Sequence, residues 1–100
     1  MSDQPVVPDA VEPVAAVVAD LASRLRVDSS AVTVRSYEDV TWRDGSLGCP
    51  VPGMMYTQAL VAGSRIVLEV AGRTYEYHAA AGGRFLFCPD PAPPVGGVTR

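Results

Sequence analysis

The chain contains no lysine and no asparagine, and only one isoleucine, one histidine and one tryptophan; all eight of its basic residues are arginine. Without lysine there is no amine for a Schiff base or a lysine nucleophile. Without asparagine there is no acceptor for N-glycosylation. Lysine, asparagine and isoleucine share AT-rich codons, so their scarcity points to a GC-rich bacterial coding sequence. Basic residues neither outnumber acidic ones nor cluster, and the net charge is −3. That balance lacks the electrostatic footprint of a nucleic-acid binder, so no DNA or RNA partner is expected. The opening Met-Ser-Asp-Gln-Pro-Val-Val-Pro-Asp has no basic leader and no long apolar run. Read as the natural start, it implies a cytoplasmic protein with no membrane partner. No phosphate-binding loop, dinucleotide glycine pattern or nucleophile elbow is present.

What is present is material for one small domain, since the whole chain has 100 residues. A core of about 75 residues buries roughly 60% of its chain surface, so it is marginally stable without help. A disulfide, a protein partner or a second copy forming a homodimer would each supply that help.

Residues 1–12 carry Pro5 and Pro8 among small and acidic residues and read as a disordered lead. From Pro13, placed at the first helical position, Val14, Val17, Val18, Leu21 and Leu25 form one apolar stripe. The helix is expected over Pro13–Arg26, with Asp20 and Arg24 paired four residues apart and Asp28-Ser29-Ser30 ending it. Ala31–Tyr37 reads as a strand resuming at Val40 and Trp42 in the same even-numbered phase, after a bulge in the Ser36–Asp39 patch. Met55–Ala62 reads as another strand, closed by Gly63-Ser64 as a turn.

The clearest element is a hairpin around Ala71-Gly72 that sets Val70 opposite Arg73, Leu68 opposite Tyr75 and Ile66 opposite Tyr77. Those apolar residues share one face; Arg65, Glu69, Glu76 and His78 fall on the other, which is expected to be wet. Ala79–Gly83 reads as a link, Arg84–Cys88 as a last strand, and residues 89–100 as a Pro/Gly-rich tail. The pattern predicts an α+β domain over 13–88, with one N-terminal amphipathic helix on a four- to five-stranded, mainly antiparallel sheet.

Chemistry-bearing residues are few. Cys49 and Cys88 each precede a proline, and a disulfide between them would close a loop of about 40 residues, worth roughly 4 kcal/mol on the chain-entropy model. The alternative is two reduced thiols, the default in a cytoplasm. With His78 the pair makes three potential metal ligands, and Asp44 a fourth. Their spacings match no metal motif, and strand alternation exposes His78 to solvent, so neither a metal nor another cofactor is expected. The carboxylate pairs Asp39/Asp44 and Glu69/Glu76 read as ordinary exposed charges in a chain with little material for a cleft. No catalytic residue is expected.

Residues 42–58, W-R-D-G-S-L-G-C-P-V-P-G-M-M-Y-T-Q, join two strand-like segments with a loop rich in glycine, proline, aromatic and thioether side chains. A loop this long marks function or disorder, and its composition argues for order. Trp42, Leu47, Met54, Met55 and Tyr56 are the candidate binding residues, being largely of types enriched at hot spots. The same side chains can instead fold back over the sheet.

This loop and the following G-S-R-I-V-L-E-V-A-G-R-T-Y-E-Y-H hairpin resemble an uncharacterised family of small bacterial proteins across roughly Leu21–Cys88. That family has no known activity, so the resemblance carries over no catalytic residue. Some members look exported or lipid-anchored, which would favour pairing of the cysteines. The order of helix, strand, exposed loop and hairpin is also similar to potato-inhibitor-type protease inhibitors, at the level of fold alone. The sequence therefore supports a non-catalytic protein-binding module presenting Trp42–Gln58. A protease-inhibitor-like domain using Cys49–Met55 and a thiol redox or metal-responsive protein using Cys49 and Cys88 are the alternatives.

Overall fold

A computed structural model describes residues 11–99. Most of the expected disordered lead, residues 1–10, lies outside the described residues, and Val11 and Glu12 belong to the helix. The chain runs as α1 (Val11–Leu25), a 3-10 turn (Ser29–Ala31), β1 (Thr33–Trp42), β2 (Val61–Val70), β3 (Arg73–Ala80), β4 (Leu86–Cys88) and β5 (Gly96–Thr99). The five strands form one antiparallel sheet in the order β4-β3-β2-β1-β5. This is the expected α+β architecture.

The apolar stripe of α1 buries Val17 and Leu21 against Ile66, Leu68, Val70 and Tyr77 of the hairpin. The helix starts two residues earlier than expected, so Pro13 occupies the first turn, where backbone N–H groups have no helical acceptor to lose. It ends at Arg26, which takes a left-handed φ of 56°. Val27 N–H donates to Ala22 O at 3.0 Å and Arg26 N–H to Ser23 O at 3.3 Å, the paired closure of a Schellman end. Asp28, expected as the stop, instead caps the short 3-10 turn by accepting from Ser30 N–H. Asp20 accepts from Arg24 Nε at 2.6 Å, as expected, and also from the Tyr77 hydroxyl at 2.6 Å, which ties helix to sheet. These bonds hold the Asp20 carboxyl below its ordinary range, while burial and that carboxylate raise the Tyr77 phenol.

The hairpin register is the expected one: Val70 pairs with Arg73, Leu68 with Tyr75 and Ile66 with Tyr77. β1 differs in phase. Val34 pairs with Leu68 and Ser36 with Val67, leaving Arg35 as the extra residue of a bulge. An extra residue reverses the alternation. Before it, even-numbered Val34 lies on the helix side; after it, Tyr37, opposite Ile66, takes that side. Val40 and Trp42 are thereby sent to the far face, rather than staying in phase with Val32 and Val34.

Two more expectations are corrected here. Residues 51–60 are irregular, and Gly63-Ser64 lies inside β2 rather than in a turn. Gly63 is where the Trp42 indole crosses the sheet to donate from Nε1 to Ala79 O at 3.0 Å. Within the Pro/Gly-rich tail, Gly96–Thr99 pairs with Glu38–Thr41.

A Cβ at position 63 would collide with the Ala79 carbonyl oxygen and the Trp42 indole. Gly63→Ala is expected to cost about 2–3 kcal/mol in urea unfolding, comparable to emptying the core with Leu21→Ala.

Candidate functional site

The face of the sheet away from α1 is where the structure departs most from expectation. It is not wet. Residues 43–49 fold across its β1–β3 end, and beneath them lie Trp42 and His78, both 0% exposed. Their rings stack with centroids 4.2 Å apart and planes inclined by 28°. His78, expected on a solvated face, is thus a buried polar residue, because the register that sends it outward also puts it under the loop.

Each ring nitrogen of His78 has a partner. Nε2 is 2.8 Å from Glu76 Oε1, and Nδ1 is 2.7 Å from Leu47 O. Both partners are acceptors, so a ring nitrogen that carries a proton donates to the oxygen it faces. Glu76 is held in turn by a forked pair of bonds from Arg65, Nε to Oε1 and Nη2 to Oε2, each 2.8 Å. Arg65 Nη1 reaches Glu38 Oε1 at 3.0 Å. Burial alone would push the Glu76 carboxyl up, but the Arg65 and His78 bonds outweigh it and hold it at about 2. Burial works against the Arg65 charge, yet the Glu76 bonds more than offset it and raise the guanidinium. Glu69, the other member of the suspected carboxylate pair, bridges Arg35 at 3.2 Å instead.

The loop is built by local chemistry. Asp44 Oδ1 accepts from Ser46 N–H at 2.8 Å and Ser46 Oγ–H at 2.6 Å, which turns the chain and lowers the Asp44 carboxyl. Asp44 is therefore committed to that turn and is no part of the sulfur–imidazole cluster. Leu47 and Gly48 follow with φ of 57° and 72°. Gly48 is buried against the Trp42 ring, and a Cβ there would strike Trp42 and the Ala92 carbonyl. Its own carbonyl accepts from Ala92 N–H at 2.9 Å, fastening the loop to the segment before β5.

Cys49 then meets Cys88 of β4 in a disulfide, with Cα atoms 5.4 Å apart and 39 positions between them in sequence. Beyond it, Val51-Pro52-Gly53-Met54 makes a tight turn, with Met54 N–H on Val51 O at 3.1 Å and Gly53 at φ 84°. The Tyr56 hydroxyl accepts from Val51 N–H at 3.0 Å, and Gly45 N–H donates to Thr57 O at 2.9 Å to close the base.

The candidate binding residues divide. Trp42 is fully buried and cannot touch a partner; it is the floor on which the loop rests. Leu47 is half-buried, and its backbone carbonyl is the part in use. Tyr56 is half-buried and braces the arm. Met54 and Met55 are 61% and 94% exposed, joined by Val51 and Leu60, each more than half exposed. The last two are absent from the sequence-based set, since isolated aliphatics beside Pro and Ala carry no local signal. The Glu38–Arg65–Glu76–His78 chain is also new, although the hairpin register already sets Arg65 opposite His78.

Residues 14–88 match the model of a family described as a domain of unknown function, DUF8738. The chain belongs to that family. No curated protein and no solved structure matches it. The family's bounds run from the helix to the second cysteine, so the stapled loop and its floor lie inside them. Among the described residues, no helix is long and apolar enough to cross a membrane.

Two outcomes follow from this geometry. Glu76 has its ordinary value of 4.5 in the unfolded chain and about 2 in the folded one. Its contribution, roughly 3 kcal/mol, is complete above pH 4.5 and is lost as pH falls from there towards 2. Glu76→Gln should flatten that acid limb in unfolding measurements across the same range. Removing the staple with Cys88→Ser should cost roughly 4 kcal/mol at neutral pH, and phosphine reduction of the wild type should reproduce the loss.

Proposed function

We propose that this protein is a small non-catalytic binding module whose recognition element is the apolar arm Val51–Leu60, held out from the sheet by the Cys49–Cys88 staple. The carrying observation is four large apolar side chains, Val51, Met54, Met55 and Leu60, exposed within ten residues of a loop whose base is fixed covalently and by hydrogen bonds. Exposed apolar groups cost solubility, and ordering them before contact lowers the entropy lost on binding. Methionine suits such a surface because its flexible thioether adapts to an irregular partner. The partner is a protein with a shallow apolar groove.

The arm supports this reading better than protease inhibition. An inhibitory segment would enter a cleft extended, whereas Val51–Met54 is folded back on itself by a reverse turn. The disulfide also suits an oxidising compartment better than the cytoplasm expected from the opening residues.

Met54→Ala/Met55→Ala should leave stability within about 0.5 kcal/mol of the wild type, since both side chains are exposed. In crosslinking from the native host, the double variant should lose at least tenfold of any partner that the wild type recovers through a photoreactive group at position 51. Equal recovery by both proteins would overturn the proposal.

A further inference from the structure

The disulfide does not stand alone. Cys49 Sγ, Cys88 Sγ and a His78 ring nitrogen all lie within 4.8 Å of one another. Cys88 and His78 are buried and Cys49 is half-buried, so competing water is scarce. His78 Nδ1 lies 3.4 Å from Cys49 Sγ. A sulfur and an imidazole nitrogen sharing one tetrahedral zinc, with bonds of about 2.3 and 2.1 Å, stand about 3.6 Å apart. The other nitrogen, Nε2, is anchored on Glu76, itself clamped by Arg65. That is the outer-shell arrangement that orients a metal-binding imidazole, with Nε2–H donating to the carboxylate and Nδ1 left to coordinate. The Leu47 carbonyl, 2.7 Å from Nδ1, is aimed at the same point by the left-handed Leu47-Gly48 turn.

We infer that reduction of the Cys49–Cys88 bond converts this cluster into a zinc site, with both sulfurs and His78 Nδ1 as ligands and the Leu47 carbonyl oxygen positioned as the fourth. The reductant is a dithiol: its two thiols pass two electrons and two protons to the bond, leaving two cysteine thiols and a cyclic disulfide. Zinc then displaces both thiol protons, and any proton that Nδ1 carries, into solvent, while Nε2 keeps its own. The sulfurs part to about 3.8 Å, the edge between two thiolates on one zinc. With Cα atoms 5.4 Å apart, side-chain rotation supplies that movement. The same two atoms staple the arm in an oxidising setting and hold a metal in a reducing one. This inference is independent of what the arm binds.

The test uses the full chain, oxidised or reduced with a trialkylphosphine under argon, titrated with Co2+ and then Zn2+. The reduced protein should take up one Co2+, with thiolate charge-transfer absorption in the near ultraviolet and four-coordinate bands in the visible, all abolished by one Zn2+. The oxidised protein should show neither. Because the only tryptophan stacks on His78, Co2+ at this site should quench its fluorescence at least twofold, and Zn2+ should restore it. His78→Gln should weaken reduced-state affinity at least tenfold, and Glu76→Gln by about 10- to 100-fold. Should His78→Gln fail to fold, the wild-type quenching decides. Absence of Co2+ uptake by the reduced chain, or uptake without tryptophan quenching, would overturn the inference.

Discussion

Burying an imidazole whose two nitrogens both need partners is the constraint on which this structure turns. A buried polar ring without acceptors would cost several kcal/mol, so His78 can lie under the loop only if the loop supplies one acceptor and the sheet the other. Leu47 O and Glu76 Oε1 do so. The left-handed turn at Leu47-Gly48, the bare backbone of Gly48 against Trp42, and the Arg65 clamp on Glu76 each serve to place one of those two oxygens. Loop order therefore follows from polar satisfaction as much as from apolar burial.

The sheet consequently has two cores of different kinds. Against α1 it is an aliphatic and tyrosine layer that any small α+β domain could build. On the far face it is an aromatic stack, a disulfide and a chain of charged hydrogen bonds, covered by loop rather than helix. The second is more specific and more condition-dependent, since acid reaches it through Glu76 and reductant through Cys49–Cys88. The exposed arm is anchored in the second.

Features set by short-range periodicity were readable from the sequence. The stripe Val14–Leu25 and the alternation on either side of Ala71-Gly72 placed the helix, the hairpin and the aliphatic core. Features set by register and by single backbone positions were not. One extra residue at Arg35 moves Trp42 to the opposite face, and no local preference marks arginine as that residue. Alternation places His78 on the outward face, but a face is wet only if nothing covers it, and the cover comes from Leu47 and Cys49, 31 and 29 positions away. Gly63 carries a turn signal, yet within a strand glycine equally marks a close crossing, which is its role beneath the indole.

Beyond the bulge at Arg35, arithmetic matters more than chemistry in this strand. Substituting Arg35 would forfeit one exposed ion pair, and deleting it would close the bulge into a regular ladder with Val34 still opposite Leu68 and Ser36 opposite Val67, whereas losing one residue between Ser36 and Trp42 would aim the indole at the helix. Spacing between Ser36 and the tryptophan should therefore be kept in natural variants even where residue identity drifts, and insertions should gather beyond the arm's anchored base instead.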